Sequence, residues 1–497
     1  MNWLGPESPL HLVLISLLAG LLIFIAGEQR QKLRIGINLL AAVLKLVLVA
    51  ALILAIRDGR DFIWRMPLLP GFDFVLHLDE SSMLFTTLSA FLWLLTTVYA
   101  IGYLERSPQR ARFFGFFCIC VASTMGIAAA GNLFTFFIFY EMLTLATWPL
   151  VVHRGTPESL SAGRVYLAYT LFGSALFLAG LVWLYSIAGL QDFVAKGAEP
   201  GAFVERRLEL QLIVCLLIAG LGVKASLVPL HGWLPRAMVA PAPVSALLHA
   251  VAVVKAGAFG IVRLVYDVFG PERFRALGMS DLLAGAAALT IVYGSVMALR
   301  QQDLKRRLAY STVSQVSYIA LGAAVAGPLA TVGGLVHLVH QGIMKITLFF
   351  CAGIYAEMLG VKKIAQMDGA GRRLPLTSIA FSIGALGMIG LPPMAGFISK
   401  WYLGAGAVAA GQPWVVGVLV LSTLLNAAYF LPILRRLWFA PPPEQWPHEQ
   451  AMNRVTRASL VAPAVITGLL ALLAGLLAGA ELSPLGWVET LVRRRYE

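Results

Sequence analysis

Charge is scarce in this sequence. Only 13% of its 497 residues are Asp, Glu, Lys or Arg, and 59% are hydrophobic; soluble domains carry about 25% charged residues. With a mean hydropathy of +0.81, a soluble domain, a disordered chain, collagen and a coiled coil are all excluded. Cysteine is equally sparse. Cys118, Cys120, Cys215 and Cys351 all lie within apolar runs, and there is no CxxC or CxxCH. A disulfide framework, an iron–sulfur cluster and c-type haem therefore lack a ligand set, and no cofactor is expected. The net charge is +13, yet no basic tract with interleaved aromatics occurs, so nucleic acid is not an expected partner. The opening MNWLGPESPL lacks a basic leader region, and the first helix is expected to be retained.

What is present is a series of apolar runs, each near the ~20 residues that span a bilayer core. They fall near 9–27, 34–56, 81–102, 111–130, 132–152, 165–187 and 209–229. Seven more follow near 240–266, 281–299, 308–326, 329–356, 377–398, 413–437 and 458–479. The expected fold is an all-α polytopic membrane protein of about fourteen transmembrane helices. Alternate loops, among them EQRQKLR, ERSPQRAR and RQQDLKRR, hold about twice as many Lys and Arg as the others. That asymmetry places both termini outside the cytoplasm, against the weaker opposing signal of the basic tail VRRRYE. In the long loop 57–80, DFIWRMPLLPGFDFVLHLDE has the pattern of a β-hairpin. No soluble domain fits between the spans, so the function must reside within the bundle.

Two stretches read as interrupted helices. Residues 221–257 and 386–406 are rich in Pro and Gly inside apolar surroundings, and proline removes a backbone donor while clashing with the preceding turn. Irregular backbone at membrane depth is tolerated where it is buried or lines a wet cavity. Each break has a lysine beside it, Lys224 and Lys400. Five helices separate the two breaks, and an odd offset inverts one relative to the other. The expected organisation is N-terminal helices 1–3 (1–110), a first inverted five-helix repeat (111–266), a second (281–437), and a C-terminal helix with its tail (458–497), with helices 7 and 12 broken. Paired broken helices are a pointer to a transport site.

The strongest signal is ionisable residues in the middle of apolar spans: Glu141, Lys224, Lys255, Lys345 and Lys400. Each charge at the bilayer centre costs about 2.5–3.5 kcal/mol, so five are comparable to the net stability of a whole domain. They must pair, neutralise or face water. Lysine suits proton handling because burial brings its ordinarily high pKa toward working pH and a carboxylate restores it. Glu141 with Lys224 is the natural acid–base pair. His249, His337 and His340 can accept and donate protons near neutrality. His337, Gln341 and Lys345 follow one face of a helix with His340 beside it, whereas His249 and Lys255, six residues apart, point about 120° from each other on a regular helix.

Structural alternatives stand beside each of these. Glu141–Lys224 can be a purely structural buried pair; Lys255 and Lys345 can snorkel toward a span end; Lys400 can end its helix at the interface; the histidines can be satisfied core residues. His231 suits loop packing or gating equally. Lys45, alone in LLAAVLKLVLVAALIL, is expected to face a partner helix or headgroups rather than a pathway. Asp303, Lys305 and Arg306 are expected to cap a helix and signal topology, with guarding of a proton route as the lesser alternative.

These residues carry a resemblance. KASLVPLHGWLPRAMVAPAPVSALLHAVAVVKAG, DLKRRLAYSTVSQVSYI, HLVHQGIMKITLFFCAG and GLPPMAGFISKW, in this order, resemble the antiporter-like family: proton-translocating subunits of respiratory complex I, of membrane-bound hydrogenases and of Mrp cation/proton antiporters. The resemblance covers nearly the whole chain and implies fourteen helices with two inverted five-helix repeats. It gives Glu141 and Lys224 the paired roles on helices 5 and 7, Lys255 a connecting role on helix 8, His337 and Lys345 relay roles on helix 11, and Lys400 the terminal role on helix 12. Where the family often has a second histidine, this sequence has Gln341, and an amide does not carry a proton at neutral pH; the relay there rests on His340, Lys345 or water.

Lysine at 400, with GFISKW and KITLFFCAG, resembles the D-type component of Mrp antiporters. The resemblance implies a bacterial inner membrane, other membrane subunits as partners, and protons with Na+ or K+ as the transported ions. The leading expectation is the proton-translocating subunit of a multisubunit monovalent cation/proton antiporter. The alternative is a pump subunit of a complex I-like quinone oxidoreductase or hydrogenase, with electrons carried in partner subunits; an inorganic-carbon uptake assembly is a further possibility. A bis-His haem on His337 and His340 is disfavoured, because residues three apart lie side by side rather than on opposite faces.

Overall fold

The computed structural model describes residues 4–197, 206–449 and 452–496. Thirteen helices among them are long and apolar enough to cross a membrane, and one further crossing is made by two shorter helices in series. We number them α1 (Ser8–Ala26), α2 (Gln31–Arg57), α3 (Glu80–Tyr103), α4 (Arg110–Ala129), α5 (Leu133–Val151), α6 (Pro157–Ala188) and α7 (Arg207–Ala225). Then come α8 (Ala242–Phe269), α9 (Met279–Leu299), α10 (Leu304–Val325) and α11 (Pro328–Leu359). The chain continues with α12 (Pro375–Ile389), α13 (Ala395–Ala409), α14 (Trp414–Phe439) and α15 (Arg454–Leu476), and ends in a short helix, α16 (Pro484–Arg495).

Helix starts follow capping chemistry. Asp79, Asn132, Thr156, Asp303, Asn453 and Ser483 each accept a bond from a backbone N–H three residues on, satisfying a donor the helix leaves free. The 57–80 loop is the expected hairpin: β1 (Phe62–Leu69) pairs antiparallel with β2 (Phe72–Leu78). The first and last described residues lie on the hairpin's face of the bundle, Leu4 through its carbonyl on Arg60 and Tyr496 through its hydroxyl on Ser81.

Burial sorts the helices into two shells. The apolar stretches of α8, α10 and α11 are 100%, 94% and 89% buried, against 33% in α6, α14 and α15. The outer helices turn leucines and valines such as Leu171, Leu424 and Val455 outward, as a lipid solvent requires. Of the inner three, α8 carries His249 and Lys255, and α11 carries His337, His340 and Lys345.

Both expected breaks are present. After α7, Ser226 takes a left-handed conformation, and the freed backbone is satisfied locally. Trp233 Nε1 donates to Val223 O at 2.7 Å, and Val228 N donates to Thr290 Oγ1 at 3.0 Å. Between α12 and α13, Gly390 turns the chain at φ +90°, and a Cβ there would meet Lys400 Cδ at 2.7 Å; only glycine suits both demands.

Three features depart from the sequence reading. Helix α8 is not regular: π segments at Leu247–Val251 and Leu264–Phe269 flank a distortion at Ala252. The 120° relation of His249 to Lys255 assumes a regular helix and does not hold. The twelfth run, read as 377–398, ends inside α13, eleven residues short of that helix's end. The tail after the fourteenth run contains a further short helix, α16, that the sequence reading did not place.

Candidate functional site

The four lysines of the sequence reading are deeply placed. Lys224, Lys255 and Lys345 are 0% exposed and Lys400 is 9% exposed, so none snorkels to an interface. Among the described residues none has a carboxylate within 4 Å; each is held by neutral groups.

Lys224, in the last turn of α7, donates to the carbonyl of Tyr140 and sits 3.3 Å above the Tyr140 ring centroid. The expected contact ion pair with Glu141 is thus replaced by its neighbour in sequence. Glu141 is half-buried on α5, bound by the Ser174 hydroxyl of α6, and remains within electrostatic reach of Lys224. On a helix, residues 140 and 141 point about 100° apart, so α5 offers Lys224 one side chain and Ser174 the other.

Lys255 of α8 donates to Leu338 O of α11 at 2.8 Å. Gly257 explains how its helix reaches α7. A Cβ at 257 would strike the backbone of α7, with Leu221 O at 2.6 Å and Lys224 C at 2.8 Å. The helices bearing Lys224 and Lys255 therefore touch backbone to backbone, the approach that small residues allow.

Lys345 of α11 begins a chain of hydrogen bonds. It donates to Ser311 Oγ at 2.7 Å, and the Tyr429 hydroxyl lies 2.8 Å from the same oxygen. Tyr429 donates to Asn426 Oδ1. Asn426 Nδ2 donates to Met388 O at 3.2 Å, which also accepts from Lys400 at 3.2 Å. Lys400 further donates to Ile389 O at 2.7 Å and Thr423 Oγ1 at 3.2 Å. The carbonyls freed by the α12–α13 break are thus the lysine's ligands. Sequence reasoning does not single out Ser311, Asn426 and Tyr429, because a hydroxyl or amide in an apolar run is ordinary until its neighbours are known.

The histidines lie between these lysines. His337 Nδ1 is 2.8 Å from Ser399 Oγ, its ring stacks on Tyr318, and it is within electrostatic reach of Lys255, Lys400 and His340. His249 stacks on Phe349 and is within reach of Lys345 and Lys305. Among the described residues, both ring nitrogens of His249 and both side-chain polar atoms of Gln341 and Gln315 are buried without a hydrogen-bond partner, and the His337 ring lies beside the Gln315 backbone with Nε2 making no bond of ordinary geometry. The His340 ring lies beside the Ala395 backbone without a bond of ordinary geometry. Buried polar groups are rarely left unpaired, and ordered water is their usual partner. These atoms lie on α8, α10 and α11, the three most buried helices, and mark places where water belongs.

On the face opposite the hairpin, a cavity of about 820 Å³ is walled by Tyr103, Arg154, Asp303, Lys305, Glu357 and Lys362, among others. Asp303 caps α10 as expected. Lys305 reaches inward from that cavity to Ala240 O at 2.5 Å, toward His249. Among the described residues no group of three His, Cys, Asp or Glu side chains is arranged to hold a metal ion.

A second buried ionic site lies on the hairpin face. Arg263 of α8 binds both oxygens of Asp79 at 2.8 and 2.9 Å and Asp267 at 2.7 Å. Arg495 of α16 binds Asp79 at 2.7 Å and Asp267 at 3.2 Å. Burial by itself would raise the Asp79 carboxyl, but the two guanidinium groups outweigh it and hold it well below the usual carboxylate range.

The arrangement defines a class: a polytopic membrane protein with isolated ammonium groups on interrupted and central helices, spaced by hydroxyls and unpaired imidazoles. Residues 130–426 match the family described as NADH:quinone oxidoreductase/Mrp antiporter, TM, and residues 70–114 match NADH-Ubiquinone oxidoreductase (complex I), chain 5 N-terminus. The chain belongs to this family of complex I-type and Mrp-type membrane subunits. It is 33% identical over 490 residues to NADH-quinone oxidoreductase subunit N of Desulforudis audaxviator, covering 94% of this chain and 95% of the relative. It is 28% identical to the D-type Na(+)/H(+) antiporter component of Bacillus subtilis, covering 87% of this chain and 84% of that one. Its fold matches a chain of the Mrp complex of Dietzia sp. DQ12-45-1b with a TM-score of 0.84 at 24% identity, over 98% of this chain and 97% of the other.

Proposed function

We propose that this chain translocates protons through its lysine-lined interior as one subunit of a multisubunit assembly in the bacterial inner membrane. The observation that carries the reading is the run of buried lysines that have no ion-pair partner among the described residues, each held by carbonyls or hydroxyls and two of them linked through Ser311, Tyr429, Asn426 and the Met388 carbonyl. A carbonyl stabilises only the ammonium form. A hydroxyl serves both forms, accepting from the ammonium and donating to the amine, so Lys345 beside Ser311 is suited to exchange.

Protons are taken up from the cavity at Lys305, which we place on the cytoplasmic side because the basic loops lie there. They reach Lys345 by way of His249 and water. Glu141, withdrawn to Ser174, is the switch: moving it toward Lys224 favours the ammonium, and moving it back releases a proton. A proton crossing 100 mV is worth about 2.3 kcal/mol, enough to bias a rearrangement of a few kcal/mol. His337 passes protons toward Lys400 through Ser399 and water, Lys255 joins the two halves, and His340 is an auxiliary relay.

The driving reaction belongs to partner subunits. Lys400 and its GFISKW segment, with the D-type antiporter relative, favour exchange of protons for Na+ or K+. The greater identity to a quinone oxidoreductase subunit N favours a redox-driven pump. Proton flux into vesicles holding the whole assembly tests the common claim. Lys224→Met and Glu141→Gln are each expected to lower flux at least tenfold with assembly intact. Normal flux in both variants would reduce the site to a structural one.

A further inference from the structure

Lys45 lies near the midpoint of α2, outside both halves that carry the proposed route. It is 0% exposed, and its ammonium points inward to α1 and α3 rather than to headgroups. It donates to Ser16 Oγ at 2.6 Å and sits 4.7 Å above the Trp93 ring. No carboxylate lies within 4 Å among the described residues; the titratable group facing it from α4 is the Cys118 thiol, itself 3.5 Å from Asn38 Oδ1. Lys345 likewise has a hydroxyl, Ser311, and an aromatic ring, Phe430 at 6.0 Å, together with the Leu308 carbonyl at 3.3 Å.

The Ser16 hydroxyl is arranged for two states. It accepts from Lys45 and also lies 3.3 Å from Val13 O, to which it donates. When an N–H proton leaves the ammonium for a water oxygen, the amine lone pair is free, and the hydroxyl can turn its own proton from Val13 O to that nitrogen. A lysine kept for packing alone has no use for such a partner, since an apolar residue of similar volume packs there without the cost of a charge.

A path leads away from it. On α3, Thr86, Ser89, Trp93 and Thr97 recur at helical spacing along one face. Thr86 Oγ1, Trp93 Nε1 and Thr97 Oγ1 are buried without hydrogen-bond partners, three more places where water belongs. Ser89, one turn from Trp93, reaches Val251 O at 3.5 Å, in the π segment of α8 that holds His249. We propose that Lys45 is a further proton-binding site, in the N-terminal helices, exchanging with the His249 region along this stripe of α3. The proposal rests on proton translocation through the bundle being the function of this chain.

The test compares Lys45→Met, Lys45→Arg and Lys224→Met in the complete assembly in vesicles. Lys45→Met and Lys45→Arg are both expected to lower proton flux at least threefold with assembly intact, because arginine keeps the charge but does not release its proton. Rescue by arginine would overturn the proposal in favour of a fixed charge, and normal flux in both variants would overturn it outright. Full flux in Lys224→Met sinks the parent reading, whereas loss there with normal flux in Lys45→Met sinks this inference alone. If the Lys45 variants fail to assemble, Ser16→Ala and Trp93→Phe decide: slowed flux supports the site and unchanged flux overturns it.

Discussion

Helix α8 carries two kinds of buried charge, and they are solved differently. At its hairpin end, Arg263 and Asp267 join Asp79 and Arg495 in a cluster of two cations and two anions, each cation bound to both carboxylates. Two turns earlier, Lys255 is equally buried and has a single backbone carbonyl. The cluster is electrically balanced and every charge is engaged, as a structural site must be in a medium where a lone charge is costly. The lysine is neither balanced nor fully engaged. Within one helix, that contrast sets charge that holds helices together beside charge that the proposed route assigns to proton passage.

The largest effect is expected from breaking the balanced end. Arg263→Met leaves two carboxylates facing Arg495 alone and should lower the stability of the assembly by about 3–5 kcal/mol, read from thermal unfolding and from the yield of assembled complex. An unchanged unfolding temperature would erase the distinction between the two ends. Next comes the segment between them. Gly257→Val forces α8 away from the α7 backbone and should cost about 1–3 kcal/mol while also lowering proton flux, because the helices of Lys224 and Lys255 separate. Flux that survives a measured loss of stability would show that their close approach is only packing. The smallest stability effect is expected at the unbalanced charges. Lys345→Met should change stability by less than about 1 kcal/mol, or raise it, and yet abolish flux. A large destabilisation with residual flux in proportion to folded protein would place Lys345 with Arg263 as a structural charge.

Much of this is legible in the chain. The breaks after α7 and α12 announce themselves because Pro and Gly interrupt apolar runs, and the lysines because a charge in such a run stands out against its surroundings. The direction of each side chain does not. Helix α2 is apolar on nearly every side, so no periodicity tells which way Lys45 points. Charge alone suggests the Glu141–Lys224 contact, whereas one residue's rotation gives Lys224 the carbonyl and ring of Tyr140 instead. The ionic cluster stays hidden because Asp79 and Arg495 lie outside the apolar runs and more than 400 residues apart, and nothing in the sequence points from one to the other. Helix α16 escapes for the same reason: a short polar tail has no apolar run to mark it.

Sequence alone indicated a polytopic membrane protein of about fourteen spans, where two of them break, and which charges interrupt its apolar runs. Those properties depend on local length and composition measured against a bilayer of fixed thickness. Only the tertiary structure decided which buried charge is balanced and which is left with hydroxyls and carbonyls, because a partner is supplied by another helix, and which helix arrives is a matter of packing between segments hundreds of residues apart.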